Sequence, residues 1–187
     1  MTDATDPKDL MERARAGDEE AFSLLYQQYL TPIFRYIYFR ILHKEDAEDL
    51  LQIVFLKAYQ ALPRFKNLGK EPLSFFYTIA RNAVIDHRRK KHEVLADDTE
   101  KFAKHIADTA PSAVDLIAAR DESVIVQQAL KSLSDDQREA LTLKYINDMS
   151  NEEISQLMQK EEPAVRQLHS RGLKALREKL WNTKTNK

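Results

Sequence analysis

Residues 150–180, SNEEISQLMQKEEPAVRQLHSRGLKALREKL, contain the pattern that decides the fold of this chain. Ser150 stands three residues before Glu153, which is the capping-box spacing that begins a helix. A brief polar turn follows, and Pro163 then stands at the start of a longer helical pattern, where a proline without an N–H is tolerated. A short helix, a tight turn and a longer helix are typical of a helix-turn-helix.

The sequence before this motif completes a four-helix unit. Residues 123–133 carry apolar side chains at helical spacing. Ser134 then precedes Asp135 and Asp136, and this order predicts a helix with a serine N-cap and an acidic first turn, which the positive end of the helix dipole favours. We therefore predict that residues 123–181 form a four-helix helix-turn-helix domain.

A separate helical unit is predicted over residues 9–92. Its apolar residues recur at three- and four-residue spacing, and Asp18 is placed to cap one of its helices. Pro32 stands early in a further apolar run, which predicts a new helix in the core. A glycine and a proline predict a loop over 64–72, and a helix follows over 73–91.

Residues 93–122 differ from both units. They carry eight acids against three bases and few large apolar residues, which favours an acidic linker over a packed element. The predicted fold class is therefore all-α, with two small helical domains joined by an acidic linker.

The composition excludes several classes of site. The 187 residues include no Cys, so a disulfide framework, a catalytic thiolate and a Cys-ligated metal are excluded. The 3 glycines are too scattered for a phosphate-binding loop. We predict no metal and no cofactor. Neither a signal peptide nor an apolar stretch of membrane-spanning length is found, so we predict a cytoplasmic protein without membrane insertion.

The formal net charge of −1 conceals two basic helices. Residues 81–92 carry five bases against one acid, and residues 160–180 carry six bases against three acids. The acidic linker and the acidic first twenty residues offset them. A single basic run is often only a solvated helix end, but one such helix in each domain favours nucleic-acid binding, because lysine and arginine neutralise phosphates.

Aromatic residues precede the first basic helix. Phe75, Phe76 and Tyr77 stand just ahead of Arg81 and Asn82. Aromatic, basic and amide side chains together suit single-stranded nucleic acid, whose unstacked bases can be held by them. Each ring taken singly is better explained as core, so the basic residues and Asn82 are the firmer part of this predicted site.

These residues together resemble the extracytoplasmic-function (ECF) sigma factors, which are minimal two-domain members of the sigma-70 family of bacterial RNA polymerase specificity subunits. The resemblance covers residues 10–180 and depends on stretches that occur in the family's order. They are AFSLLY at 21–26 with IFRY at 33–36, DAEDLLQIVF at 46–55, FFYTIARNAVIDHRRK at 75–90, and LSDDQR, EEI and VRQLHSRGL at 133–138, 152–154 and 165–173.

The resemblance implies that the first domain docks on the polymerase and melts the promoter. The core RNA polymerase would be bound by the acidic helix, with Asp46, Asp49, Gln52 and Phe55 as docking residues. The minus-ten element would be read and its melted strand held by the loop and helix that follow, and the candidates are Asn67, Lys70, Arg81, Asn82, Arg88, Arg89 and Lys90.

The resemblance also implies that the second domain reads the minus-thirty-five element of promoter DNA. Arg166 and Gln167 would contact base edges, while Ser170, Arg171 and Lys174 would hold phosphates. Two features depart from the family's pattern. Phe75 stands where the family often has Trp, and the second-domain turn, which in the family usually contains Gly, reads QKEEP at 159–163. The two glutamates before Pro163 would repel phosphate at the start of the recognition helix. An anti-sigma factor is a further partner that the resemblance implies.

Two other functions compete with this one. An enzyme is disfavoured, because the five histidines show no metal-binding spacing and the paired carboxylates lie in the linker or at a helix start. A free-standing helix-turn-helix regulator that binds duplex DNA is the stronger alternative. It would need neither a docking helix nor a melting helix, and it would normally bind a palindrome as a dimer.

Overall fold

The computed structural model describes residues 6–65, 71–97 and 122–185, and in these ranges every regular element is helical. The first unit comprises α1 (Pro7–Arg15), α2 (Glu19–Ile41), α3 (Lys44–Ala61), a 3-10 turn (Leu62–Arg64) and α4 (Pro72–Asp97). The second unit comprises α5 (Glu122–Lys131), α6 (Asp135–Tyr145), α7 (Asn151–Met158) and α8 (Glu162–Thr185). The predicted all-α fold class with two units is confirmed.

The predicted helix starts are confirmed where a side chain caps them. Asp18 accepts a hydrogen bond from the backbone N–H of Ala21 at 3.0 Å and begins α2. Ser134 and Ser150 each form a reciprocal capping box with the third residue of the following helix. Such local contacts are readable from sequence, because both partners lie within one helical turn.

The prediction of a new helix at Pro32 is wrong. Helix α2 runs for 23 residues with Pro32 inside it. An interior proline removes one backbone hydrogen bond and costs about 3 kcal/mol. The helix continues because its apolar residues on both sides of the proline are buried, including Leu25 and Tyr29 before it and Ile33 and Tyr36 after it. Core packing therefore outweighs the local penalty.

The helix predicted to end near residue 91 is longer than expected. Helix α4 continues to Asp97, five residues into the predicted linker of 93–122. The remainder of that linker up to residue 121 lies outside the described residues.

Gly172 brings two helices of the second unit close together. A Cβ atom at this position in α8 would stand 2.8 Å from Leu141 Cδ1 of α6. The missing side chain therefore lets α8 approach α6, with Val165 and His169 buried on the same face of α8. This contact fixes which face of α8 remains available to a ligand.

The two units share one buried apolar cluster. Tyr36 and Ile37 of α2 belong to the same cluster as Ala140 and Leu143 of α6 and Ile154 of α7. Polar contacts accompany this packing, because Asn147 donates to the carbonyl oxygen of Pro32 at 3.0 Å. Gln127 of α5 also donates to the hydroxyl of Tyr38. The first and second units therefore lie against each other in a closed arrangement.

Candidate nucleic-acid interface

The polar side chains of α4 divide between two faces. Asn82, Arg89 and Lys90 are exposed, and Ile85 between them is 41% exposed. Arg89 also forms an ion pair with Asp86 at 3.3 Å. One helical face therefore presents an amide and two cations to solvent, which is the part of the predicted minus-ten site that a strand could reach in this arrangement.

The other two predicted cations of α4 face the second unit. Arg81 Nε lies 2.8 Å from Glu139 Oε1, and Arg88 forms an ion pair with Asp135. The side chains of Arg81 and Arg88 are 20% and 26% exposed, against 67% for Arg89. Sequence spacing placed these cations on one helix, but it carried no information about their carboxylate partners more than 45 residues further along the chain.

The loop that was predicted to contribute Asn67 and Lys70 lies outside the described residues. At its edges, the rings of Phe65 and Phe75 are in contact, with 4.4 Å between their centroids. Phe76 is fully buried and packs against Tyr29 and Phe55, as the core explanation predicted. Phe75 is partly buried and packs on that core.

The candidate base- and phosphate-contacting residues of α8 share an exposed face. They lie opposite the buried side of the helix, where Val165 and His169 pack on the rest of the domain. All five predicted residues are exposed, namely Arg166, Gln167, Ser170, Arg171 and Lys174. The helix-turn-helix therefore presents the surface that major-groove recognition requires.

One acidic residue at the start of α8 has a partner within the helix. Glu162 Oε2 accepts from Arg166 Nη1 at 2.9 Å, one turn away. This pair neutralises part of the acidic start that would repel phosphate. The ion pair also holds the Arg166 side chain along the helix, so Arg166 must leave Glu162 before it can contact a base. Because an exposed ion pair contributes little free energy in water, this exchange costs little.

Helix α3 presents a mixed polar and apolar face. Asp49 and Gln52 are exposed as predicted. Beside them Ile53, Leu56 and Tyr59 are 42%, 58% and 45% exposed, which is unusual for side chains of this size and type. These five residues are called the α3 face below.

Two of the predicted docking residues have other roles in the structure. Phe55 is only 4% exposed and packs in the core against Tyr26 and Phe76, so its prediction as a docking contact is corrected to a support beneath the α3 face. Asp46 is partly buried, and its carboxylate lies 3.3 Å from His43 Nδ1 and 3.4 Å from His87 Nε2. It ties the start of α3 to α4.

Sequence reasoning missed the apolar part of the α3 face. A signal was present, because Leu50, Leu51, Val54, Phe55 and Ala58 form the buried stripe of an amphipathic helix. Large apolar residues that lie off such a stripe, as Leu56 does, have no core to enter and indicate a contact surface.

Sequence reasoning also missed the two acidic residues of the second unit that face α4, Asp135 and Glu139. Asp135 was explained by its place in the first turn of α6. Glu139 carried no local signal at all, since its neighbours in the sequence are ordinary helix residues.

His169 is a buried histidine of the second unit. It is 8% exposed, and its Nε2 lies 3.1 Å from the carbonyl oxygen of Ala140. Burial lowers the pKa of His169; the hydrogen bond to Ala140 opposes this shift and the charge of Lys144 adds to it. The folded protein therefore favours the neutral imidazole.

We expect this histidine to make the second unit less stable in mild acid. The unfolded chain takes up a proton near the ordinary value of 6.5, while the folded chain does so only at lower pH. The free energy of unfolding should therefore fall as the pH drops below about 6.5. Urea midpoints at pH 7.5 and 5.5 should differ more for the native chain than for His169→Gln. The control His43→Gln removes an exposed histidine and should show the same change in urea midpoint between the two pH values as the native chain. If the native chain and His169→Gln showed equal changes, the assignment to His169 would be wrong.

The described ranges contain neither a metal-binding cluster nor a membrane-spanning helix. No group of three or more histidine, aspartate or glutamate side chains there is arranged to hold a metal ion. None of the described helices combines the length and the apolar character that crossing a bilayer requires.

The chain has the features of a two-domain DNA-binding protein. One unit presents an exposed helix-turn-helix face, and the other presents an exposed cationic and amide face. Family comparison agrees with this class. Sigma-70 region 2 matches residues 25–93, and Sigma-70 region 4 matches residues 123–176.

Comparison with curated relatives identifies a narrower family within this class. The chain is 32% identical to the ECF RNA polymerase sigma factor BldN of Streptomyces coelicolor, over 94% of this chain and 66% of that protein. It is also 32% identical to the RNA polymerase sigma-H factor of Pseudomonas aeruginosa, over 80% of this chain and 81% of that one. The chain belongs to the ECF sigma factors of the sigma-70 family. The region 2 match accounts for the first unit, which the alternative of a free-standing regulator did not explain.

A solved structure agrees with the fold. The sigma factor RpoE from Bartonella quintana, in its complex with the anti-sigma factor NepR, superposes with a TM-score of 0.69. The likeness covers 85% of this chain and 96% of that one at 24% sequence identity. At this level of identity the likeness concerns the fold alone.

Proposed function

We propose that this chain binds core RNA polymerase and directs it to promoters by a division of labour among three helices. The observation that supports this proposal most strongly is that three chemically different exposed faces lie on one chain. They are the mixed α3 face, the cationic and amide face of α4, and the exposed face of α8.

The α3 face would dock on the polymerase. Leu56 and Tyr59 supply apolar area at its centre, while Asp49 and Gln52 supply a carboxylate and an amide at its side. Apolar side chains contribute affinity when a partner covers them, and the carboxylate fixes orientation against basic groups of that partner. Phe55 and Asp46 would act from within the domain by holding α3 in place.

The minus-ten element would be bound by α4. Asn82, Arg89 and Lys90 would meet the melted strand first, because they are already exposed. Asn67 and Lys70 of the preceding loop, with Arg81 and Arg88, would complete this site. Unstacking a base costs a few kcal/mol, and hydrogen bonds to a captured base together with cationic contacts to the strand offset that cost.

The minus-thirty-five element would be bound by α8 in the major groove. Arg166 and Gln167 would form bidentate contacts with base edges. Ser170, Arg171 and Lys174 would position the helix on phosphates. In this proposal the polymerase-docking and melting domain spans 9–92, the acidic linker 93–122 and the minus-thirty-five domain 123–181.

The remaining functional assignments follow from this role. The polymerase carries out the chemistry of RNA synthesis, so the chain would be a specificity subunit and not an enzyme, with no cofactor or metal of its own. It would act in the cytoplasm, where the bacterial polymerase works. An anti-sigma factor is proposed as a regulatory partner, supported by the similar fold of RpoE in its complex with NepR.

Transcription by a reconstituted holoenzyme tests the proposal. Bacterial core polymerase with this chain should co-elute in gel filtration and produce run-off transcripts from a genomic fragment library, and the transcript starts should share upstream motifs at two spacings. Core polymerase alone is the background control. Leu56→Asp should lose co-elution, because a charge enters the apolar centre of the α3 face, while Gln128→Asp, at an exposed position of α5, should keep it. Absence of both co-elution and promoter-dependent transcripts would overturn the proposal.

A further inference from the structure

A cavity of about 500 Å³ is lined on one side by α2 and α4 and on the other by α7 and the turn before it. Its lining includes Tyr29, Phe75 and Tyr77 from the first unit and Asn147 and Met149 from the second. This volume lies within the range of small-molecule sites in proteins. The residues proposed above to contact DNA or polymerase are not among the described residues of the lining, so the cavity has no part in those roles.

Aromatic rings form much of the cavity wall. Tyr29 and Tyr77 are buried, and the rings of Phe65 and Phe75, which also line the cavity, lie 4.4 Å apart between their centroids. The face of an aromatic ring is electron-rich, so it attracts a cation as well as an apolar group. The wall therefore suits a ligand that combines a flat apolar body with a positive charge.

The charged residues of the lining are acidic. Glu71, Asp148 and Glu153 line the cavity, and the described part of the lining contains no lysine, arginine or histidine. Glu71 is partly neutralised by Lys8, whose Nζ lies 2.8 Å from its carboxylate. Glu153 Oε2 accepts from the backbone N–H of Ser150 at 2.7 Å, and its other oxygen takes no part in that bond. The two acids of the second unit therefore supply most of the negative charge available to a ligand.

The negative charge extends to the buried part of the cavity wall. Burial raises the pKa of the Tyr77 hydroxyl, and the charges of Asp148 and Glu153 add to this shift, while Asn147 and Arg35 oppose it. The hydroxyl therefore stays neutral, and the two acids lie close enough to act on it. A cation bound beside Tyr77 would be stabilised by the same two charges.

One buried acceptor of the lining lacks a donor. Asn147 Nδ2 donates to the carbonyl oxygen of Pro32 at 3.0 Å, which identifies the other amide atom as the oxygen. That atom, Oδ1, is buried and has no hydrogen-bond partner in the described part of the chain. A buried acceptor without a donor is costly and calls for an explanation. An N–H group of a bound ligand would satisfy it.

We infer that this cavity binds a small organic cation with a flat apolar body and N–H donors, of the aryl amidinium or aryl guanidinium class. The apolar body would lie against the rings of Tyr29 and Phe75. The positive charge would be balanced by Asp148 and Glu153, and an N–H group would donate to Asn147 Oδ1. The inference does not depend on the proposed function, because it uses none of the residues assigned to promoter or polymerase.

Benzamidine and its neutral isostere benzamide test the inference in the free chain. The two compounds have the same shape, but only benzamidine is charged. By NMR titration we expect a dissociation constant of about 1 mM or below for benzamidine, and an affinity at least about tenfold higher than that of benzamide. The shifted amide signals should belong to residues around 73–78 and 147–149. Equal affinities for the two compounds, or no binding of benzamidine at about 10 mM, would overturn the inference.

Neutralising the two acids of the second unit tests the source of this preference. Asp148→Asn keeps a side chain that tolerates the left-handed backbone at this position, where φ is 54°. Glu153→Gln keeps the capping box, in which glutamine also serves. The double variant should lose most of the tenfold preference for benzamidine over benzamide. The matched control Glu152→Gln with Glu161→Gln makes the same change in net charge at exposed positions outside the lining and should retain the preference.

Equal losses in the neutralised variant and in its control would show that benzamidine responds only to the net charge of the chain, and the inference would be wrong. A cavity-filling variant gives an independent check. Thr78 is an exposed residue of the lining, so Thr78→Trp places a large ring in the cavity without replacing a core residue. It should abolish binding of both compounds, while Gln128→Trp at an exposed position of α5 should leave binding unchanged. Undiminished binding by Thr78→Trp would place the benzamidine site elsewhere and refute the inference.

Discussion

Replacing Arg88 and Arg89 together by glutamate is expected to abolish open-complex formation by the holoenzyme while binding of the core polymerase is retained. Two cations that would lie on the melted strand become two anions. Loss of two phosphate contacts also removes the release of their counterions, so we expect a fall of at least about 100-fold at moderate salt. The measurement is permanganate footprinting of the melted region, with gel filtration to follow core binding.

Core binding should persist because the α3 face lies on another helix. Leu56 and Tyr59 are exposed on α3, while Arg88 faces α6 and Arg89 is exposed on α4. Equal loss of core binding and open complexes would show that the assignment of roles within the first domain is wrong.

A matched double reversal in the second domain gives the control. Arg171→Glu with Lys174→Glu changes the same amount of charge on the proposed minus-thirty-five face. On a fork-junction template that carries the minus-ten element without minus-thirty-five DNA, the second-domain variant should melt the template normally, and the Arg88 and Arg89 variant should fail. On a full promoter both variants should be impaired.

The sequence predicts those structural features whose interacting residues lie close together along the chain. The Ser150 capping box needs only Glu153, three residues away, and the alternation of buried Val165 and His169 with exposed Arg166 on α8 follows from helical periodicity. The same periodicity could have placed Phe55 in the core, because it shares the buried stripe of α3 with Leu51.

The contacts between domains were beyond local reasoning. Arg40 and Glu139 are separated by 99 positions and lie on different helices, α2 and α6. The prediction of a new helix at Pro32 was wrong for a related reason. The helix continues through the proline only because tertiary packing stabilises it on both sides.

Removing the guanidinium of Arg40 is expected to cost about 3 kcal/mol of the free energy of unfolding, since loss of one partner leaves a buried charge with less compensation. The side chains of Arg40 and Glu139 are both 2% exposed. Glu139 would keep the Tyr36 hydroxyl and Arg81, which is why the lower part of the usual range is expected. Urea unfolding of Arg40→Ala followed by circular dichroism measures the change.

Arg13→Ala provides the comparison within the same chain. Arg13 forms an ion pair with Asp18 at 2.8 Å, but the two side chains are 38% and 34% exposed. Water solvates both groups after the substitution, so this variant should change stability far less than Arg40→Ala. Similar effects of the two substitutions would mean that Arg40 is hydrated in solution and that the domains do not stay closed.

A double-mutant cycle assigns the cost to the pair itself. Arg40→Ala leaves a carboxylate with fewer donors, and Glu139→Ala leaves a buried guanidinium without its carboxylate, so each single variant carries a desolvation penalty that the double variant largely avoids. We therefore expect the double variant to lose clearly less stability than the sum of the two single losses. Strict additivity would contradict a buried ion pair between the domains. Because the same carboxylate also holds Arg81, the coupling measured here reports how firmly the second domain covers the proposed strand-binding face of the first.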